Sequence, residues 1–364
     1  MNVTVLGGGN GAFAAAGDLT LRGHQVTLCE VPAMAAAIDE LRRTRTIVVN
    51  AMPGTGLPSG PATIARVTDD ATVALDGAEL IIVVVPAFAH APFARFVARA
   101  LRVDQPVLLM PGNLWGGFRF HAYLIDAGAP RDALVGETEC MVYAARRTGP
   151  VGVAIRGYKH HLGIAWLEHA QSEEMLARVR ALYPTARLLG NVVEAGLNNV
   201  NPFFHPLILL SNLGLAGLPD ARRFYVDGVS APVARLIEIL DAERREVAEA
   251  LEISLPTLRD LLLLWYGHEG ARGESLFQVI HSVPAYQHSF FPHDVSTSRY
   301  LLEDVPFGLV PLLRLAGRAG VAAPLTGALV AHAYVVARSL GAGLSETESE
   351  PHDWLDRARS GLYP

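Results

Sequence analysis

The sequence predicts an α/β N-terminal domain on a doubly wound, mostly parallel sheet, followed by an all-α C-terminal domain. Three observations carry this. Apolar strand-like runs alternate with helical stretches as far as residue 190, and from residue 191 the strand signal fades while amphipathic helical periodicity continues. The chain opens at once with a strand, a glycine turn, a helix and a second strand. Its 364 residues are enough for two domains, here 1–190 and 191–364.

Residues 3–30 organise the rest. Val3, Val5 and Leu6 form a short apolar strand, and the chain turns through Gly7-Gly8-Gly9-Asn10-Gly11. An Ala-rich helix follows from Ala12 to Leu21 and stops at Gly23, the expected left-handed cap. A second strand over 25–29 closes on Glu30. Gly7, Gly9 and Ala12 thus stand as G-x-G-x-x-A where a strand hands over to a helix, the fingerprint of a Rossmann dinucleotide site. Gly7 permits the tight turn, Gly9 lets a pyrophosphate approach bare backbone, and Ala12 keeps the helix near the sheet. The phosphates would meet the unpaired N–H groups of the helix start, with Asn10 and Gly11 beside them. Glycine turns also close ordinary βα units, but here Glu30 follows eighteen residues after Ala12. A carboxylate at that position accepts from ribose hydroxyls and repels a 2′-phosphate, and no arginine follows closely. NAD is therefore expected over NADP.

Hydrophobic residues make up 51% and charged residues 18%, so a large core is available. No apolar run approaches the ~18 residues of a membrane span, and no signal peptide precedes the first strand. Cys29 and Cys140 make neither a disulfide framework nor a metal-ligand spacing, so no metal is expected and a reducing cytoplasm fits. A net charge of −6 gives no reason to expect nucleic acid. A homodimer is compatible with the apolar composition, though nothing specifies it. Among the thirty basic residues Lys159 is the single lysine, which restricts the available proton donors.

Along the first domain, 32–43 reads as helix, 46–52 as strand and 53–61 as a turn cluster joining paired strands. Asp69 and Asp70 open a short helical piece before AELIIVVVP, a buried parallel strand ending at Pro86. The loop from Pro86 to His90 lies on the rim of the glycine loop, where doubly wound sheets line the cofactor. His90 would reach that rim, although such a histidine more often packs or caps. A strand over 106–110 precedes Pro111-Gly112-Asn113, and 134–142 carries Thr138. Strands over 160–166 and 186–189, with a helix over 172–182, complete a sheet of seven or eight strands. In the second domain helices are expected over 192–200, from Asn201-Pro202, and over 230–250, 255–266, 306–318 and 324–340. Residues 267–298 read as a loop-rich segment suited to covering a substrate. A polar link over 345–350 leads to a short last helix with Trp354 and Leu355.

No lysine stands near the start of the helical domain. Asn198, Asn199, Asn201 and His205 do, and Asn201 and His205, four apart, share one helix face. Histidine suits proton transfer near neutral pH, given a carboxylate to orient it. Asp304 is a candidate, with Arg299 five residues earlier. Asp304 reads equally well as a helix cap before Pro306, Arg299 as a surface ion pair, and His205 as a packed member of an aromatic cluster with Phe203 and Phe204.

Together these residues resemble a family, the octopine/nopaline (opine) dehydrogenases. The similarity runs through GGGNGAFAAAGDLTLRGHQVTLCE, VVVPAFAHAPFA and GETECMVYAARR, and in the helical half through NNVNPFFHP and RYLLEDVPFGLVPL. The two helical blocks are the more specific. The resemblance implies condensation of an amino acid with a 2-oxo acid such as pyruvate. Reduction of the imine by NAD(P)H then gives a secondary-amine dicarboxylate. By motif position it implies His205 as acid/base residue, Asp304 as its carboxylate partner and Arg299 as the cation for a substrate carboxylate. Asn113 and Thr138 fall where the family contacts the oxo acid, Asn201 is taken as a further substrate contact from the face it shares with His205, and the amino-acid pocket is not carried over. Two other readings stand beside it: an NAD-dependent 2-oxo acid reductase without an amine partner, and a non-catalytic dinucleotide-binding protein.

Overall fold

The structure, a computed structural model, describes residues 1–168, 171–218 and 220–344; the expected link over 345–350 and the helix with Trp354 and Leu355 lie outside them. In chain order the first half runs β1 (Asn2–Leu6), α1 (Asn10–Leu21), β2 (Gln25–Cys29), α2 (Asp39–Thr44), β3 (Thr46–Ala51), β4 (Gly60–Thr63), β5 (Arg66–Thr68), α3 (Ala71–Leu75) and β6 (Leu80–Val83). It continues with α4 (His90–Val97), β7 (Val107–Leu109), α5 (Gly116–Asp126), β8 (Val135–Thr138), β9 (Tyr143–Arg147), β10 (Gly152–Tyr158), β11 (Gly163–Trp166), α6 (Ser172–Leu182) and β12 (Arg187–Leu188). Eight strands form one sheet in the order β12-β11-β8-β7-β6-β1-β2-β5, parallel except where β11 meets β8. The order reverses between β1 and β6, the topological switch point at which doubly wound sheets bind ligands.

A second, four-stranded sheet, β4-β3-β10-β9, corrects the single-sheet expectation. The strand expected over 46–52 exists but pairs here, and β9 and β10 were not anticipated. Their arginines and short alternation carry a weak strand signal, and pairing with β3 supplies the rest. Helix α1 faces this sheet, and a Cβ on Gly17 would meet Val49 Cγ2 at 2.5 Å. Residues Ala12 to Leu19 of α1 are all buried, so the helix is Ala-rich, and its one charged residue there, Asp18, is paired with Arg22 and the Tyr143 hydroxyl. The stretch expected as one helix over 32–43 is a 3-10 turn, Pro32–Ile38, leading into α2.

The described residues pack as two units: Met1–Gly112 with Gly116–Ala195, and Asn113–Trp115 with those from Gly196 on, as far as residue 344. A Cβ on Gly196 would lie 2.8 Å from Leu114 Cα, so the 113–115 segment is bound closely into the second unit.

The second unit contains α7 (Val192–Asn198, from its Gly196), α8 (Asn201–Ser211), α9 (Phe224–Gly228), α10 (Ala231–Glu249), α11 (Leu258–Tyr266) and α12 (Leu276–Ser282). After α13 (Arg299–Leu302), a π turn at Val305–Leu309 runs into α14 (Val310–Ala319), and α15 (Pro324–Ser339) follows. Helix α8 is buried from Pro202 to Leu210 and forms the centre of the unit. The segment read as loop over 267–298 contains α12. Its start is a capping box between Ser275 and Gln278, an S-x-x-Q signal passed over in the sequence. Among the described residues no helix is long and apolar enough to cross a membrane.

Arg244, fully buried on α10, ties the unit together. It donates to Asp241 Oδ1 at 2.9 Å and to the Leu197 carbonyl at 3.1 Å, while Asp241 Oδ2 accepts from Leu258 N at 3.0 Å. Replacing it strands a buried carboxylate and a buried carbonyl. Arg244→Met should therefore cost roughly 3–5 kcal/mol of unfolding free energy, measured by urea denaturation. A cost below about 1 kcal/mol would show the network to be dispensable.

Candidate functional site

The glycine loop follows from β1 and α1. Gly7 has φ +122°, and a Cβ there would lie 2.6 Å from the Val84 carbonyl oxygen, so only glycine fits. A Cβ on Gly9 would meet nothing within 4 Å, leaving open space over the helix start. Gly11 packs against Met141 and Val84, and Ala12 is fully buried. Asn10 Oδ1 accepts from Arg147 N at 2.8 Å. Glu30 ends β2 with Oε1 accepting from Val31 N at 2.9 Å. A Cβ on Gly8 would lie 2.9 Å from Glu30 Oε2, so the carboxylate lies beside the loop. Burial pushes its pKa up, while backbone N–H groups of Val31 and Gly8 pull it back. An open helix start, a glycine-only turn and an adjoining carboxylate fit a dinucleotide with free ribose hydroxyls.

Arg147 was not singled out in the sequence. Its Nη1 donates to the carbonyls of Gly8 (2.9 Å) and Ala37 (3.2 Å), its Nη2 to that of Pro150 (2.7 Å), and the guanidinium lies 3.9 Å from the Phe13 ring centroid. The second sheet thereby clamps the glycine loop, a link that no local pattern announces.

Pro86 precedes a short 3-10 turn, Ala87–Ala89, at the carboxyl end of β6. His90 follows, buried, with neither ring nitrogen hydrogen-bonded, and burial with the nearby Arg119 lowers its pKa to about 3. Nearby, Glu137 Oε2 accepts from Gly117 N at 2.6 Å, and burial raises this carboxyl to about 8. Thr138 also belongs to this unit, and its hydroxyl donates to the Cys140 carbonyl at 2.7 Å.

In the second unit, His205 lies one turn into α8 after Asn201. Asn201 is the first residue of the helix and not its cap; its N–H is taken by Asn199 Oδ1 at 3.2 Å. Gly308 of the π turn packs directly on Pro202 of α8, which brings the Glu303–Asp304 segment against His205. Asp304 stands at the N-cap position of the π turn, but its side chain makes no cap hydrogen bond. Its Oδ2 stands 2.7 Å from His205 Nδ1, and the other ring nitrogen, Nε2, is 2.8 Å from the Tyr225 hydroxyl. The Tyr300 ring covers the imidazole at 4.2 Å between centroids. Burial raises the Asp304 carboxyl, and the imidazole draws it back down.

A second chain of polar groups runs beside this pair. Arg299 Nε bonds Glu303 Oε2 at 2.6 Å, with the arginine side chain 58% exposed. Glu303 Oε1 accepts from Asn113 Nδ2 at 3.2 Å, and Asn113 Oδ1 accepts from Asn199 Nδ2. Asn113 has φ +60° and Trp115 φ +69°, left-handed conformations that non-glycine residues adopt at a cost. The fold thus brings His205, Asp304, Arg299, Asn113 and Asn199 together within one unit. Tyr225 and Glu303 were missed: a buried tyrosine and a glutamate four residues from an arginine are commonplace in sequence. Among the described residues no cluster of three or more His, Cys, Asp or Glu side chains forms a metal-ligand set.

The chain is similar to known proteins in sequence and in fold. The family described as NAD/NADP octopine/nopaline dehydrogenase, alpha-helical domain, matches residues 188–337. An opine dehydrogenase from Arthrobacter sp. (strain 1C) is 32% identical over 326 residues, covering 90% of this chain and 88% of its own. The octopine dehydrogenase of Pecten maximus is 27% identical over 363 residues, covering 91% and 88%. In fold, the chain superposes on octopine dehydrogenase solved with NADH and L-arginine at a TM-score of 0.76 and 23% identity, covering 100% and 99% of the two chains. Yersinopine dehydrogenase with NADP+ bound gives 0.69 at 18% identity, covering 99% and 97%.

The Glu137 carboxyl links stability to pH. It titrates near 8 when folded against an ordinary 4.5, so the folded state keeps a proton that the unfolded state releases. Stability is therefore lost as pH rises from about 4.5 through 8. Glu137→Gln stays neutral, and its stability relative to the parent should rise steadily from pH 5 to pH 8.5 in thermal melts. Parallel curves would mean that the carboxyl is ionised throughout.

Proposed function

The chain belongs to the octopine/nopaline (opine) dehydrogenase family, and from that premise we propose that it reductively joins an amino acid to a 2-oxo acid. The product is an N-(carboxyalkyl) amino acid, formed through an imine, and the bond made is a C–H next to nitrogen. The single observation that carries this reading is the buried His205–Asp304 pair at 2.7 Å, a proton donor oriented by a carboxylate, in a helical unit with no lysine.

NAD is the cofactor we assign, with NADP as the alternative. Gly7, Gly9, Asn10, Gly11 and Ala12 would hold its phosphates at the start of α1, Glu30 its adenosine ribose, and Pro86 would line its rim. When bound in reduced form it supplies the hydride. The protein's own residues supply the remainder. Asp304 keeps the imidazole in the tautomer with hydrogen on Nδ1. His205 is the source of the proton that the new amine nitrogen gains. Arg299 offers a cation for a substrate carboxylate, its direction fixed by Glu303. Asn113, locked between Glu303 and Asn199, presents a polar contact for the 2-oxo acid; we place Thr138 beside it on family position and Asn201 among the substrate contacts from the helix face it shares with His205. On this reading residues 1–190 hold the cofactor and supply Asn113 and Thr138 to the substrates, and 191–364 supply the acid/base pair and Arg299.

The test is NADH oxidation with pyruvate and a panel of amino acids, with product mass as second readout. Oxidation should require an amino acid and yield a secondary-amine dicarboxylate. Full activity on pyruvate alone would instead identify a 2-oxo acid reductase. Asp304→Asn should lower kcat by about 10²–10⁴-fold with little change in NADH affinity, because the amide favours the wrong tautomer. Near-parental turnover in that variant would remove the pair from the chemistry.

A further inference from the structure

We propose that the Tyr225 hydroxyl, not the imidazole itself, hands the proton to the substrate nitrogen, in a relay running Asp304–His205–Tyr225. The proposal rests on the reading of His205 as the source of that proton. Both ring nitrogens of His205 are already engaged, Nδ1 with Asp304 at 2.7 Å and Nε2 with the Tyr225 hydroxyl at 2.8 Å. The ring face is covered by Tyr300 at 4.2 Å, and Phe224 packs edge-on at 5.9 Å. The outlet for a proton on Nε2 is therefore the phenol.

Tyr225 is also held where it stands. Its ring stacks on Tyr286 at 3.8 Å and 10°, and Tyr286 meets Tyr266 edge-on at 6.0 Å. The backbone just before it is fastened by Phe224 N to the Ser289 carbonyl at 2.7 Å and by Phe291 N to the Arg222 carbonyl at 2.9 Å. Swinging the phenol off Nε2 would break a stacked pair and bare buried aromatic surface. Passing a proton through it needs no such movement. Burial and the surrounding tyrosines hold the phenol above its ordinary pKa, so it enters each turnover protonated.

The step balances. As the substrate nitrogen takes the phenolic proton, the O–H bond of Tyr225 breaks, and the proton on Nε2 moves to the phenol oxygen and restores it. The imidazolium becomes neutral imidazole with Nδ1–H still on Asp304. One proton leaves the relay, no electrons are exchanged at the tyrosine, and solvent reprotonates the histidine afterwards. Tyr225 would thus touch the reacting atom, with His205 behind it as proton source and Asp304 as its orienting group.

Three variants of the full chain test this. Tyr225→Phe should lose about thirtyfold or more in kcat, with NADH affinity changed less than twofold. A smaller loss overturns the relay, since the unmasked imidazole would then be serving the substrate directly. Replacing Tyr225 with 3-fluorotyrosine keeps the shape and makes the phenol more acidic. Because the phenol donates the proton, kcat on the pH plateau should change about twofold or more in the fluorotyrosine enzyme, and the ¹⁹F resonance should shift with pH across the basic limb of the kcat profile and lose that response in His205→Ala. An unchanged plateau kcat overturns the relay, even if the phenylalanine variant fails to fold. Should His205→Ala remain fully active, the acid/base reading itself falls. An inactive His205→Ala with an unchanged fluorotyrosine kcat removes the relay alone.

Discussion

Burying a carboxylate is costly unless a partner takes up its charge, and Asp304 meets that condition through His205. The surrounding second unit is built so that this can happen. Helix α8 is apolar on all sides and central, so its one imidazole has few polar partners to choose from. The π turn after Asp304 brings Gly308 onto Pro202, and a residue with any side chain at position 308 would hold the carboxylate away from the ring. Aromatic rings then close the remaining faces. A low-dielectric setting of this kind strengthens each hydrogen bond in the chain and penalises any that is left unmade.

The first unit applies the same constraint to anion binding. Helix α1 lies against two sheets and is buried from Ala12 to Leu19, and its start is left open at Gly9 while Gly7 makes the turn that only glycine can make. Arg147 reaches over from β9 and binds the Gly8 carbonyl of the loop and the Ala37 carbonyl of the 3-10 turn after β2, so the strands absent from the single-sheet expectation keep the loop in shape. Glu30 and Glu137 show how environment separates two carboxyls. Burial pushes both up: backbone N–H groups of Val31 and Gly8 pull the first back, while Glu137, opposed by Gly117 N and Arg119, still reaches about 8.

Both units place strained or glycine-only backbone next to their polar side chains. Gly7 is one instance, and Asn113 and Trp115, non-glycine residues in the left-handed region, are another. Such conformations persist only where neighbours over-determine them. Asn113 is held by Glu303 and Asn199 together, so the network that orients Arg299 also stabilises an unfavourable φ.

Local rules settled what could be read from the chain alone: the βαβ opening, the glycine turn, the acidic end of β2, the change from strand to helix after residue 190, and the family to which His205, Asp304 and Arg299 point. These are short-range signals, in which periodicity, turn chemistry and motif spacing act within a few tens of residues. Tertiary structure decided everything that depends on distant partners. It moved β3 out of the main sheet and gave β9 and β10 their place, because strand pairing is set by the neighbour as much as by the strand. It made Asp304 a partner of an imidazole ninety-nine residues away instead of a capping side chain, brought Glu303 to Asn113, and set Tyr225 on Nε2. A side chain's hydrogen-bond partner in a buried interior is chosen by packing across the fold, and no window of sequence contains that choice.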